Sequence, residues 1–191
     1  GSLDWLCFPR FDSPACFSAL LGDSENGRWR ICPSDSLTGT ERRYRDSTMT
    51  LETVFHTEHG SAMLVDWMPV GEQDCVVRTV VGLSGKVAFD MELVMRFDYG
   101  SSVPWVEQAH PRTLTAVAGP DMLVLRSASD LHAVDHRTGS RFTVGAGERL
   151  CYRLSFQPSH LPLQPALDAD RCLAETERYW REFAERCPSV G

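Results

Sequence analysis

Between Val87 and Phe97 the chain alternates without a break. Val87, Phe89, Met91, Leu93, Met95 and Phe97 occupy every second position, with Ala88, Asp90, Glu92, Val94 and Arg96 between them. Successive side chains on a strand point to opposite faces, so this is a long strand with one buried face. Such a strand needs sheet neighbours at its edges and a second layer over its apolar face. Leu150, Tyr152, Leu154 and Phe156 alternate in the same way with Cys151, Arg153 and Ser155. Shorter strand candidates are 28–32, 49–56, 62–68, 75–83, 113–117, 122–127, 131–135 and 140–144. Glu58-His59-Gly60-Ser61, Ser84-Gly85, Ala118-Gly119-Pro120-Asp121, Thr138-Gly139 and Gly145-Ala146-Gly147 read as turns between them. About ten strands joined by short turns predict an all-β protein, an antiparallel two-sheet β-sandwich.

Two helices interrupt this pattern. Ser13-Pro14 reads as an N-cap followed by Pro at the first helical position, with Phe17, Leu20 and Leu21 as an apolar stripe and Gly22 as the stop. The second helix runs from about Asp168 to Arg186. Leu173, Trp180, Phe183, Ala184 and Cys187 lie on or near one face, and charged residues cover the remainder. The prolines at 158, 162 and 165 argue against strand or helix in between. The expected organisation is a sandwich over 1–157, a Pro-rich linker over 158–167, and a helix over 168–191 that leads elsewhere.

A chain of 191 residues can bury one substantial core. Its net charge of −7, with no long run of Lys and Arg, argues against a nucleic-acid partner. No apolar stretch is long enough to span a bilayer as a helix, so no membrane partner is expected. The seven cysteines are widely spaced and contain no C-x-x-C, which speaks against a zinc site or a disulfide framework and favours a reducing, cytoplasmic setting.

Little in the chain points to chemistry of its own. His56 and His59 fall at an expected hairpin tip, and His132 and His136 are too far apart on a strand to chelate one ion, so no metal is expected. No serine sits in G-x-S-x-G, no cysteine has a catalytic context, and no glycine loop suits a phosphate. No catalytic residue and no cofactor are therefore assigned. Two internal echoes carry more information. Arg10-Phe11-Asp12 recurs as Arg96-Phe97-Asp98, and Asp4-Trp5 recurs as Asp66-Trp67. In an extended chain the first pattern buries a ring and presents an Arg/Asp pair. Trp67 and Trp105 are candidate stacking faces for a sugar, although a tryptophan more often fills a core. Asp4, Trp5, Arg10, Asp12, Arg96, Asp98 and Tyr99 are candidates for a domain interface or the rim of a substrate pocket.

These residues carry a family resemblance. GSLDWLCFPRFDSPACFSALLGD closely resembles the opening of trehalase-like and glucoamylase-like proteins of glycoside hydrolase family fifteen. Gly27-Arg28-Trp29-Arg30-Ile31 with Pro33, Thr50-Leu51-Glu52-Thr53, Asp66-Trp67-Met68-Pro69, Arg96-Phe97-Asp98-Tyr99-Gly100 and Glu175-Thr176-Glu177-Arg178-Tyr179-Trp180 resemble later family segments. Leu3 and Phe8 replace the aliphatics that are commoner at those positions. The resemblance implies an N-terminal sandwich of the supersandwich type that supports an (α/α)6 barrel. In such enzymes the barrel carries two glutamates that hydrolyse an α-glucoside with inversion. No catalytic glutamate carries over onto this chain, which on that resemblance is expected to begin after the family's usual first strand and to stop before any barrel. The implied partner is the C-terminal catalytic barrel of the same polypeptide, with α-glucosides as candidate ligands. A stand-alone carbohydrate-binding module is the alternative. An interaction domain that forms a homo-oligomer through its edge strands is a third reading.

Overall fold

The computed structural model describes residues 1–71 and 74–187. The strands are β1 (Ser2–Leu3), β2 (Leu6–Cys7), β3 (Ala15–Phe17), β4 (Arg28–Pro33), β5 (Leu37–Tyr44), β6 (Leu51–Thr57), β7 (Gly60–Trp67), β8 (Cys75–Val94), β9 (Trp105–His110), β10 (Thr113–Ala118), β11 (Asp121–Arg126), β12 (His132–Val134), β13 (Arg137–Gly145) and β14 (Arg149–Pro158). One helix, α1 (Ala169–Arg186), follows. The fold is mostly antiparallel β, as the alternation predicts.

Strand β8 organises everything. Its first half lies between β7 and β14, with Val80 opposite both Leu64 and Leu150. Its second half lies between β4 and β13, with Met91 opposite both Ile31 and Ser140. One sheet therefore runs β5-β6-β7-β8-β14-β11-β10-β9, and the other gathers β1, β4, β8, β13 and β12. Rings from the two sheets meet in the core. Phe89 stacks on Phe142 at 5.5 Å, Phe55 meets the Phe89 edge at 6.2 Å, and Phe142 reaches Tyr152 at 5.3 Å. Val87, Phe89, Met91, Leu93, Met95 and Phe97 are all buried, so the predicted face is the core face.

Ser84-Gly85 is not a turn. The two expected strands on either side of it are one, and Leu83 to Lys86 are its exposed middle where the strand passes between sheets. Gly85 there adopts φ +61°, and a Cβ on it would stand 2.1 Å from the His59 carbonyl oxygen, so the close approach of β7 requires glycine. Thr138-Gly139 also lies inside a strand. The turn falls instead on Asp135 and His136, both at positive φ, as a two-residue hairpin demands.

The expected helix after Ser13-Pro14 does not form. Ser13 closes a turn on itself, with the Arg10 N–H donating to Ser13 Oγ and the Ser13 N–H donating to the Arg10 carbonyl. Residues 15–17 then pair with β2, and the Ser18 and Ala19 N–H groups donate to the carbonyls of Asn26 and Gly27. With those donors committed to distant partners, only a single 3₁₀ turn over Ala19–Leu21 is left, and Leu20 and Leu21 face solvent.

The Pro-rich segment is tightly held. The buried Gln157 amide donates to the carbonyls of Leu161 (3.2 Å) and Pro162 (3.0 Å) and accepts from the Gln164 N–H (3.2 Å). Arg126 and Arg153 donate to the carbonyls of Gln164 and Pro165. The segment leads α1 onto the outer face of the first sheet, where Leu167, Ala169, Cys172 and Leu173 pack on Val65, Trp67, Cys75 and Val77. Glu177 holds Arg45 at 2.5 Å, and Thr176 Oγ1 accepts from the Val70 N–H. The first half of α1 thus belongs to the sandwich. Its second half exposes Tyr179 and Phe183 around Trp180. Residues 188–191 of the expected C-terminal segment lie outside the described residues.

Candidate functional site

The structure sorts the sequence candidates into three places. The first is an exposed platform. The Trp5 and Tyr99 rings face each other at 6.0 Å, tilted by 39°, and both are partly open to solvent. Tyr99 reaches this position from a strained turn in which Asp98 (φ 50°) and Tyr99 (φ 58°) are both left-handed. The turn is fastened by the Phe97 N–H donating to the Ser102 carbonyl at 2.8 Å and by Ser101 Oγ donating to the Asp98 carbonyl at 2.7 Å. Asp4 is half-buried beside Trp5. Its carboxylate accepts from Ser2 Oγ, and its carbonyl accepts from the Leu20 N–H at 3.0 Å, which brings Leu20 to the platform.

Arg10 and Asp12 form a bidentate pair, Nε to Oδ1 at 2.8 Å and Nη2 to Oδ2 at 3.0 Å. The guanidinium holds the Asp12 carboxyl below its ordinary range. The ring between them does not turn inward. The segment is a tight turn, not an extended strand, and Phe11 is 91% exposed. Phe11 joins Trp5, Phe8, Pro9 and Met68 around a shallow cavity of about 330 Å³. Phe11, Leu20, Leu21 and Met68 are therefore surface residues that sequence reasoning missed. The expectation of a buried ring at Phe11, and of a helical apolar stripe at Leu20 and Leu21, concealed them.

The second place is a groove of about 530 Å³ at the other end of the Met95–Val103 segment. It brings together Arg96 and Trp105, two candidates with no sequence signal for being neighbours. Trp105 is 76% exposed on β9, an edge strand. Arg96 is buried to all but 9% of its side chain, and its Nη1 donates to the Met95 carbonyl at 2.8 Å. The expected Arg96/Asp98 pair is absent, because Phe97 and Arg96 both turn inward while Asp98 starts the left-handed turn. The acid nearest Arg96 is Glu25, at 3.9 Å. Glu25 also pairs with Arg137, which reaches Glu92, and Glu92 binds Arg28 at 2.7 Å. The Glu25 charge is the largest influence raising the Arg137 pKa.

The third place is interior. Trp67 is 3% exposed and fills the small core under α1, so it offers no face to a sugar. Asp66 beside it is bound to Arg78 inside the fold. The second echo is thus a core feature in one copy and a surface feature in the other.

His56 Nδ1 lies 2.8 Å from Ser61 Oγ, across the β6–β7 ladder. Among the described residues no group of three or more His, Cys, Asp or Glu is placed to hold a metal ion. Among the described residues no helix is long and apolar enough to cross a membrane. The seven cysteines are free. Burial pushes the Cys75 thiol up to about 11 and raises Cys16 further, so neither is a ready nucleophile.

Comparison with known proteins gives a consistent picture. A family profile described as trehalase-like, N-terminal, matches residues 1–143. Trehalase of Mycobacterium tuberculosis is 27% identical over 210 residues, covering 96% of this chain and 31% of the relative. Trehalase of Thermoplasma volcanium is 27% identical over 208 residues, covering 100% of this chain and 32% of the relative. Trehalase 1 of Sulfolobus acidocaldarius is 36% identical over 110 residues, covering 56% of this chain and 18% of the relative. The chain spans about a third or less of the length of these relatives.

Proposed function

The chain belongs to the trehalase-like N-terminal domain family, and from that premise we propose that it is a non-catalytic β-sandwich domain serving a glycoside hydrolase. Its partner is a catalytic barrel in the same polypeptide, and the reaction is hydrolysis of an α-glucoside, with trehalose the leading substrate. The observation that carries this reading is the platform. Phe11, Leu20 and Leu21 are strongly exposed within one short N-terminal segment, beside the half-open Trp5 and Tyr99. Exposed large apolar side chains gathered in this way are what an interface covers. The carboxylates of Glu25, Asp90 and Glu92, which line a cavity of about 470 Å³, are each bound by an arginine, which supports placing the chemistry elsewhere. Free cysteines support a reducing, cytoplasmic setting.

The test uses the full-length enzyme. Trp5→Ala with Phe11→Ala should lower activity and separate the thermal unfolding of sandwich and barrel into two transitions. Wild-type activity with one unchanged transition would refute the docking role.

The open face of Trp105 favours a second reading, a carbohydrate-binding module. Titration of the 191-residue chain with trehalose, maltose and soluble starch separates the two. Binding tighter than millimolar, lost in Trp105→Ala, would favour the module.

A further inference from the structure

The groove beside Trp105 has a chemical character that neither reading uses. Met95, Val103 and Val106 supply apolar walls, Trp105 supplies an open aromatic face, and Arg96 and Arg137 supply the charge. Among the described residues no carboxylate lines it, although the chain as a whole carries net charge −7. Its volume of about 530 Å³ is that of a small-molecule site, larger than one water cluster and smaller than a macromolecular interface.

Within the ion-pair cluster behind it the charges do not cancel. Arg28, Arg96 and Arg137 share Glu25 and Glu92. Both carboxylates are engaged more closely by Arg28 and Arg137 than by Arg96. Arg96 is left with the excess positive charge. Nine-tenths of its side chain is buried, one guanidinium nitrogen is spent on main-chain carbonyls, and Nη2 comes no nearer than 3.9 Å to an acid. A guanidinium nitrogen that faces the groove with no acid within hydrogen-bond distance is available to an anion. The hairpin turn that places His136 and Arg137 at the groove is itself strained, with Asp135 and His136 at positive φ.

We propose that this groove binds an anionic sugar, a hexose carrying a phosphate, with the pyranose ring on Trp105 and the phosphate on Arg96 and Arg137. An aromatic face suits the C–H side of a pyranose, and a guanidinium matches the paired oxygens of a phosphate. The site lies on the sandwich and acts through binding alone. It goes beyond the docking role and does not depend on it, since the platform and the groove share no lining residue.

Glucose 6-phosphate is the probe. It is titrated into the 191-residue chain, beside glucose, trehalose and inorganic phosphate, by calorimetry and by tryptophan fluorescence. The expected result is that glucose 6-phosphate binds about tenfold or more tighter than glucose or inorganic phosphate, the size of one charge-assisted hydrogen bond. Its affinity falls as salt rises. Trp105→Ala, at an exposed position, should weaken glucose 6-phosphate binding and abolish its preference over inorganic phosphate, with the thermal midpoint unchanged. Arg137→Gln and Arg96→Lys should each weaken it, with a melting curve read alongside because Arg96 is buried. Equal affinity for glucose and glucose 6-phosphate would overturn the charge assignment. Equal affinity for inorganic phosphate would overturn the stacking assignment. Binding of none of the four, or wild-type binding by Trp105→Ala, would overturn the site altogether.

Discussion

Arg78 and Asp66 meet inside the sandwich through two hydrogen bonds, Nε to Oδ1 at 2.8 Å and Nη2 to Oδ2 at 3.2 Å, with Arg78 wholly out of solvent. The same guanidinium donates to the Trp29 carbonyl at 2.6 Å and lies over the Trp29 ring at 5.2 Å. It ties β7 and β8 to β4 and so joins the two sheets. Removing one partner leaves a buried charge unpaired. Asp66→Ala should cost about 3–5 kcal/mol in urea unfolding. The double variant Asp66→Leu, Arg78→Met should cost clearly less, because neither charge is stranded. Equal losses for both would mean that the pair matters only through its volume.

Gly82 on β8 is closed in by the turn before β14. A Cβ there would stand 1.9 Å from the Gly145 carbonyl oxygen. Gly82→Ala should destabilise by about 1–3 kcal/mol or more, since backbone has to move. Gly119 has nothing within 4 Å of its virtual Cβ and only a left-handed φ of +61°. Gly119→Ala should lose only about 1–2 kcal/mol. Thermal midpoints measured side by side check the order.

One buried glutamate, Glu52, and one half-buried glutamate, Glu92, make the fold acid-sensitive. Burial pushes Glu92 up, but hydrogen bonds and charge from Arg28 and Arg137 outweigh it and hold the carboxyl below its ordinary 4.5. Glu52 is held down likewise against its burial, by Arg45 and Arg43. A carboxyl whose pKa is lower folded than unfolded stabilises the fold above the unfolded value and loses that contribution as pH falls through the folded one. The melting midpoint should therefore fall as pH drops below about 4.5. Glu92→Gln should melt lower than wild type at neutral pH and show a shallower acid decline. Parallel curves for the two proteins would exclude Glu92 as a source of the effect.

Gln157 fixes the Pro-rich segment with both ends of its amide. Gln157→Ala should cost about 1–3 kcal/mol, because carbonyls and an N–H are left without their partner. Hydrogen exchange should quicken at the amides of Leu161, Leu163 and Gln164 ahead of the β-sheet. Unchanged exchange there would show that Arg126 and Arg153 suffice to hold the segment.

Where one face of a strand is buried and the other is not, the sequence reveals the strand. Residues 87–97 and the core positions of β14 were legible for that reason. β5 and β9 were not, because every residue of β9 and nearly all of β5 is exposed, and an edge strand need not alternate. Ser84-Gly85 was misread because a glycine with positive φ looks the same in sequence whether the chain reverses or only bends. Ser13-Pro14 was misread because its cap-like serine closes a local turn while the following donors bind β2 and Asn26, which lie outside any local window. The candidate surfaces were half legible. Trp5, Tyr99, Arg96 and Trp105 could be named from sequence, but the pairing of Trp5 with Tyr99 and of Arg96 with Trp105 depends on strand placement. Trp67 shares its Asp-Trp context with Trp5 and ends in the core, so the context does not decide exposure.

The continuity of β8 from Cys75 to Val94 has a consequence for how the protein is made. Each half of this strand has one neighbour that precedes it in the chain, β7 or β4, and one that follows it, β14 or β13. On the ribosome, neither sheet can close until residues 137–158 have emerged. Until then the nascent chain presents an apolar strand with an unpaired edge along its whole length, and the late arrival of β13 and β14 sets when that edge disappears.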